Sequence, residues 1–174
     1  MTAKPKAPGV TPSQTIGPFF HEALAWACTP AASDGDDVRV EGVVVDGHRQ
    51  PVDDALLEIW QQADGAERDG RLAAGFQRVA TDAAGRFAFT VRKDPESAAV
   101  AHITVFARGL LRGLRTRVYV GAGPSEVGEL LWLDGLGDVP APALATLVAV
   151  ARDGVYRWDV RLQGDGETLF FELL

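Results

Sequence analysis

The chain has 174 residues, 47% of them hydrophobic and 24% charged, which is enough for a folded core and excludes disorder of the bulk. A net charge of -7 argues against nucleic acid or an anionic membrane surface as a partner, because phosphate binding needs concentrated Lys and Arg. The single cysteine, Cys28, rules out an intrachain disulfide.

Residues 1–10 are rich in Ala, Pro, Lys and Gly and read as a flexible N-terminus. They hold no apolar signal core, and the longest apolar run, Leu144 to Ala151, is too short to span a bilayer, so a cytoplasmic location is expected. Residues 11–174 read as one domain, without repeats or an internal linker.

Thr11-Pro-Ser-Gln-Thr-Ile-Gly-Pro-Phe-Phe20 comes first. Its prolines and glycine forbid a helix interior or a central strand, yet it ends on two aromatics that gain from burial. It reads as an extended arm that docks on something. His21 to Cys28 suits a short helical turn, and Thr29 to Asp37 a polar loop.

Short strands then follow one another. Val38–Val45 is β-branched, and Asp46-Gly47 marks a turn. Ala55–Gln61 is a second strand, and Gln62–Gly75 a long loop. Thr81–Gly85 reads as a turn into the alternating strand Arg86–Val91. His102–Arg108, ended by Gly109, and Leu114–Val120 are further strands. Pro124–Pro142, with its glycines and acids, reads as loop, and Ala143–Arg152 suits helix or buried strand equally. Tyr156–Leu162 alternates, Gly164-Asp-Gly166 turns, and Thr168–Leu173 closes the chain. The pattern predicts an all-β fold, an antiparallel β-sandwich with long loops and an extended N-terminal arm.

A mononuclear metal site needs several His, Tyr, Cys or carboxylate ligands at one point. One strand supplies two such ligands most simply at i and i+2, which share a face. The three histidines, His21, His48 and His102, include no such pair; the nearest case is His102-Ile-Thr104, and threonine is a poor iron ligand. A lone His102 is simplest as a partly buried strand histidine with a hydrogen-bond partner, and His21 and His48 as surface or capping residues. Tyr119, Tyr156, Trp60 and Trp158 read as structural, and nothing basic beside Cys28 would activate its thiol.

The arm, Leu57-Glu-Ile-Trp-Gln61, Thr81-Asp-Ala-Ala-Gly-Arg-Phe87, Ala101–Gly109, Thr116–Tyr119 and Tyr156–Gly164 together resemble the intradiol ring-cleaving dioxygenases, over most of the chain from Thr11 onward. That family holds ferric iron with two tyrosines and two histidines. Here the loop 63–69 and the stretch 93–100 lack both tyrosines, and the histidine pair is reduced to His102 and Thr104. The departure resembles the iron-free alpha chain of the family's two-chain members, as do Phe106-Ala-Arg-Gly109 and Gln163–Phe171.

The resemblance implies that this chain binds no metal and contributes no catalytic residue of its own. Fe(III) would be held by a homologous beta subunit, within a higher alpha-beta oligomer. The chain would complete the beta subunit's site for cleavage of a small aromatic acid, 3,4-dihydroxybenzoate, by O2 to 3-carboxy-cis,cis-muconate. The substrate-pocket positions it implies are Thr15, Gly17, Pro18, Phe19 and Arg108. The family usually carries Tyr where Phe19 stands. Arg108 would either meet the substrate carboxylate or order the arm. The rival from another class is a non-catalytic binding or scaffold protein that kept the fold. A stand-alone enzyme with an unusual metal site is disfavoured by the ligand count, and catechol-type enzymes by the missing N-terminal helical region.

Overall fold

The computed structural model describes residues 11–12, 14–28, 37–61, 75–93 and 98–172. The predicted flexible N-terminus, the bulk of the predicted loops Thr29 to Asp37 and Gln62–Gly75, and Leu173 lie outside them.

Among the described residues nine strands order themselves as β3 (Phe76–Ala80), β2 (Leu56–Trp60), β5 (Ala99–Phe106), β6 (Leu114–Val120), β7 (Val148–Arg152), β8 (Val155–Arg157), β1 (Asp37–Val45) and β4 (Arg86–Arg92), with β9 (Val160–Arg161) also paired to β1. The expected all-β sandwich is present as two faces of one folded-over sheet. Most neighbours are antiparallel; β6 with β7, and β1 with both β8 and β9, are parallel.

Period-two alternation builds the core. Ala99, Ala101, Ile103 and Val105 of β5 point inward beside Leu57 and Ile59 of β2 and Val118 of β6. They meet Val40 and Val44 of β1 and Phe87, Phe89 and Val91 of β4, with Trp158 between. Trp158 is 3% exposed and donates its indole N–H to the Thr146 carbonyl at 2.9 Å. Gly42 of β1 makes room for it: a Cβ at Gly42 would lie 1.7 Å from the Trp158 carbonyl oxygen.

The predicted strand Tyr156–Leu162 is broken at Trp158-Asp159 into β8 and β9. There the Asp159 carboxylate accepts from the Val43 N–H at 3.1 Å, replacing a backbone partner. The strand β3 was not anticipated.

The region read as loop, Pro124–Pro142, instead contains helix α1 (Pro124–Leu133). Pro124 sits at its start, where no N–H is needed, and Val127 and Leu131, four residues apart, are buried. Gly128 within it lets Leu144 approach closely. The ambiguous stretch Ala143–Arg152 divides between α2 (Ala141–Ala145) and β7. Both helices pack on Tyr119 of β6 in a second apolar cluster with Leu147. No described helix is long and apolar enough to cross a membrane.

Candidate functional site

The outer face of β3, β2, β5 and β6 carries the side chains of interest, because strand register places them in rows. Glu58 of β2 stands beside Arg78 of β3 and Thr104 of β5, and Thr104 beside Arg115 of β6. The next row is Phe76, Trp60, His102 and Arg117. The N-terminal segment covers the β3 and β2 side of this face, with Trp26 against Phe76 at 6.0 Å between ring centroids. The α1 side is closed by Arg117, which pairs with Asp134, lies 3.3 Å from the Tyr119 hydroxyl and stacks over the Phe171 ring.

His102 is largely exposed, though partly desolvated, and makes no hydrogen bond to a described residue, so the bonding partner expected for it is missing. Partial desolvation and the Arg117 charge hold its pKa below the ordinary histidine value, against a smaller opposite pull from Asp134. Its lateral neighbours are an indole and a guanidinium, neither of which can ligate a metal. Among the described residues no three His, Cys, Asp or Glu side chains gather to hold a metal ion. The described side chains of this face, with a single imidazole, do not by themselves make an iron site. The loop 63–69 and residues 94–97, two places where the family's tyrosines were sought, lie outside the described residues.

The arm and Arg108 come together at the far end of β5. The Ile16 N–H donates to the Leu110 carbonyl at 2.6 Å, and the Phe20 ring stacks on Phe106 with centroids 6.2 Å apart. Between these anchors run Gly17 and a 3-10 turn, Pro18–His21. Thr15, Gly17, Pro18 and Phe19 are all exposed, Phe19 by 76%. Gly17 has φ -76° and ψ 175°, which any residue adopts, and a Cβ there would meet nothing within 4 Å. The fold of this chain gives no reason for a glycine at that position.

Arg108 lies just past β5, with its side chain 64% exposed. Its Nε donates to the Asp54 carboxylate, and that hydrogen bond raises its pKa further above the arginine value. Its terminal nitrogens bond no described residue. The Asp54 backbone carbonyl is 3.1 Å from His21 Nε2, so one residue contacts both Arg108 and the arm. Sequence reasoning missed Asp54, and it missed Arg78, whose guanidinium holds the segment after the arm. Asp53-Asp54 carried no motif, and Arg78 lay on the unrecognised β3.

A separate cleft of about 500 Å³ opens beside β1 and β4. Arg39 and Arg157 on its wall both pair with Glu41, whose carboxyl they hold below its usual pKa, Arg39 foremost. None of the predicted site residues lines it.

No family model matches the chain. It is 39% identical to the protocatechuate 3,4-dioxygenase alpha chain of Burkholderia cepacia, over 94% of this chain and 97% of that one. It is 32% identical to the protocatechuate 3,4-dioxygenase alpha chain of Pseudomonas putida, over 93% and 96%. Among solved structures it resembles in fold the dioxygenase domain of a carbohydrate-binding fusion from Streptomyces sp. SirexAA-E, with TM-score 0.56, 23% identity and 88% and 98% coverage. Catechol 1,2-dioxygenase from Pseudomonas arvilla C-1 also shares the fold, with TM-score 0.52, 21% identity and 78% and 55% coverage.

Proposed function

The chain belongs to the intradiol ring-cleaving dioxygenases, among their protocatechuate 3,4-dioxygenase alpha chains, and from this we propose that it is the iron-free half of a two-chain enzyme. Its homologous beta subunit holds the ferric iron, and the alpha-beta unit joins a larger oligomer. The reaction is intradiol cleavage of 3,4-dihydroxybenzoate by O2 to 3-carboxy-cis,cis-muconate. The iron, in the beta subunit, supplies the oxygen chemistry.

The observation that carries this reading is the arm. Gly17 is a glycine its own chain does not require, and Phe19 beside it is an aromatic its own chain does not cover. Both make sense if something outside the chain packs there: Gly17 admits a close approach, and Phe19 gains burial. Pro18 keeps the segment in one shape for that contact.

Arg108 supplies the charge. Asp54 grips its Nε, so the guanidinium is oriented while its terminal nitrogens stay available for a carboxylate. In this role the chain binds and orients the substrate's acid group, walls the site with Thr15 to Phe19 and helps exclude water. On this reading residues 11–174 act as one domain and the enzyme works in the cytoplasm. Co-expression with a homologous beta chain tests the reading: a co-purifying complex that consumes O2 with 3,4-dihydroxybenzoate supports it, and failure to associate contradicts it.

A further inference from the structure

Arg78 sits in the middle of β3 with 4% of its surface exposed, a rare place for a guanidinium. Its Nε donates to Glu58 Oε1 at 3.1 Å. Its two terminal nitrogens turn to the backbone far earlier in the chain: Nη2 donates to the Phe20 carbonyl at 2.6 Å, and Nη1 to the Ala23 carbonyl. A buried charge is tolerated only when its donors are met, and here the last residue of the arm and the segment after it supply two of the three acceptors.

That segment has little to hold itself. It consists of the turn Pro18–His21 and a second 3-10 turn, Ala25–Cys28, closed by the hydrogen bonds Glu22 N–H to Phe19 and Ala27 N–H to Leu24. Such short turns are not stable alone. Leu24, between them, has φ 58°, a left-handed conformation that costs a side-chain-bearing residue about 1 kcal/mol. The carbonyl that Arg78 grips on Ala23 immediately precedes it.

We propose that Arg78 is a positioning residue, a clamp at the base of the arm that fixes where Gly17, Pro18 and Phe19 are presented. Ile16 is tied to Leu110 on one side of that trio, and Phe20 to Arg78 on the other. Both ends of the exposed stretch are thus fixed, one to the loop after β5 that carries Arg108 and the other to β3. The planar fork is essential, because one guanidinium reaches Glu58 and two separated carbonyls at once, which an ammonium cannot do. The catalytic consequence rests on the function proposed above; the clamp does not.

The test is Arg78→Lys, which keeps the buried charge beside Glu58 but loses the fork. Glu58→Gln serves as the second variant should the lysine chain fail to fold. Hydrogen exchange is read at the amides of Ile16, Glu22 and Ala27 in the full chain, and steady-state kinetics in the co-purified complex. Loss of one charge-assisted hydrogen bond predicts exchange at these amides about tenfold faster, with the amides of β5 unaffected. The complex should show a KM for 3,4-dihydroxybenzoate raised about fivefold, with kcat and iron content held. Unchanged exchange in the folded variant overturns the clamp. Faster exchange with an unchanged KM keeps the clamp and removes the arm from the substrate site.

Discussion

Arg108 and Asp54 meet at the end of the outer sheet face, where the Asp54 carboxylate accepts from Arg108 Nε while its backbone carbonyl contacts His21. The guanidinium and the arm therefore share one support. The alternatives expected for Arg108, meeting a carboxylate or ordering the arm, are both compatible with that geometry, and kinetics separates them.

If Arg108 binds the substrate's acid group, Arg108→Ala in the alpha-beta complex raises KM about tenfold or more, the scale of a lost charge-assisted contact, and leaves iron content intact. Unchanged steady-state kinetics would remove Arg108 from the substrate site.

Gly17→Ala separates folding from function at a position with open space. The native φ of -76° suits alanine, so the isolated chain should keep its stability or gain up to about 1 kcal/mol through a less free unfolded state. In the complex the added methyl should weaken assembly or substrate binding severalfold, read by gel filtration and KM. A fully normal complex would show that nothing packs on this residue.

Gly42→Ala probes the opposite case, a glycine the fold does need. The new Cβ would strike the Trp158 carbonyl, so unfolding should become easier by roughly 3 kcal/mol in denaturant titration. A change under half that size would mean β1 and Trp158 part more readily than their packing suggests.

His102 offers a pH test. Its folded pKa is depressed, so the folded state binds fewer protons than the unfolded one as pH falls below the unfolded value near 6.5. Its contribution to stability is therefore complete above that pH and declines on acidification toward the folded pKa. His102→Gln should flatten this part of the acid limb relative to the parent. Arg117→Gln should move the His102 titration upward in NMR, because it removes a neighbouring positive charge. A downward movement would contradict the assignment.

The alternating strands were readable because one face of each is buried: β4 and β6 fall where the period-two pattern puts them, while β5 begins three residues before and ends two residues before the predicted His102–Arg108. Helix α1 was hidden because Pro124 and Gly128 look like breakers, whereas the proline starts the helix and the glycine admits Leu144. β3 escaped notice because its middle residue is an arginine, whose burial depends on carbonyls more than fifty residues away. The docking of the arm was legible from its Pro-Gly-aromatic chemistry, whereas the role expected of Arg108 rests on the resemblance. Asp54 and Arg78, which support them, act through tertiary contacts that no local pattern encodes.

Iron and O2 uptake, measured on this chain alone and on its complex with the beta homologue, test the central claim most directly. Iron and 3,4-dihydroxybenzoate-dependent O2 uptake confined to the complex is the predicted result. Stoichiometric iron and activity in the lone chain would contradict it.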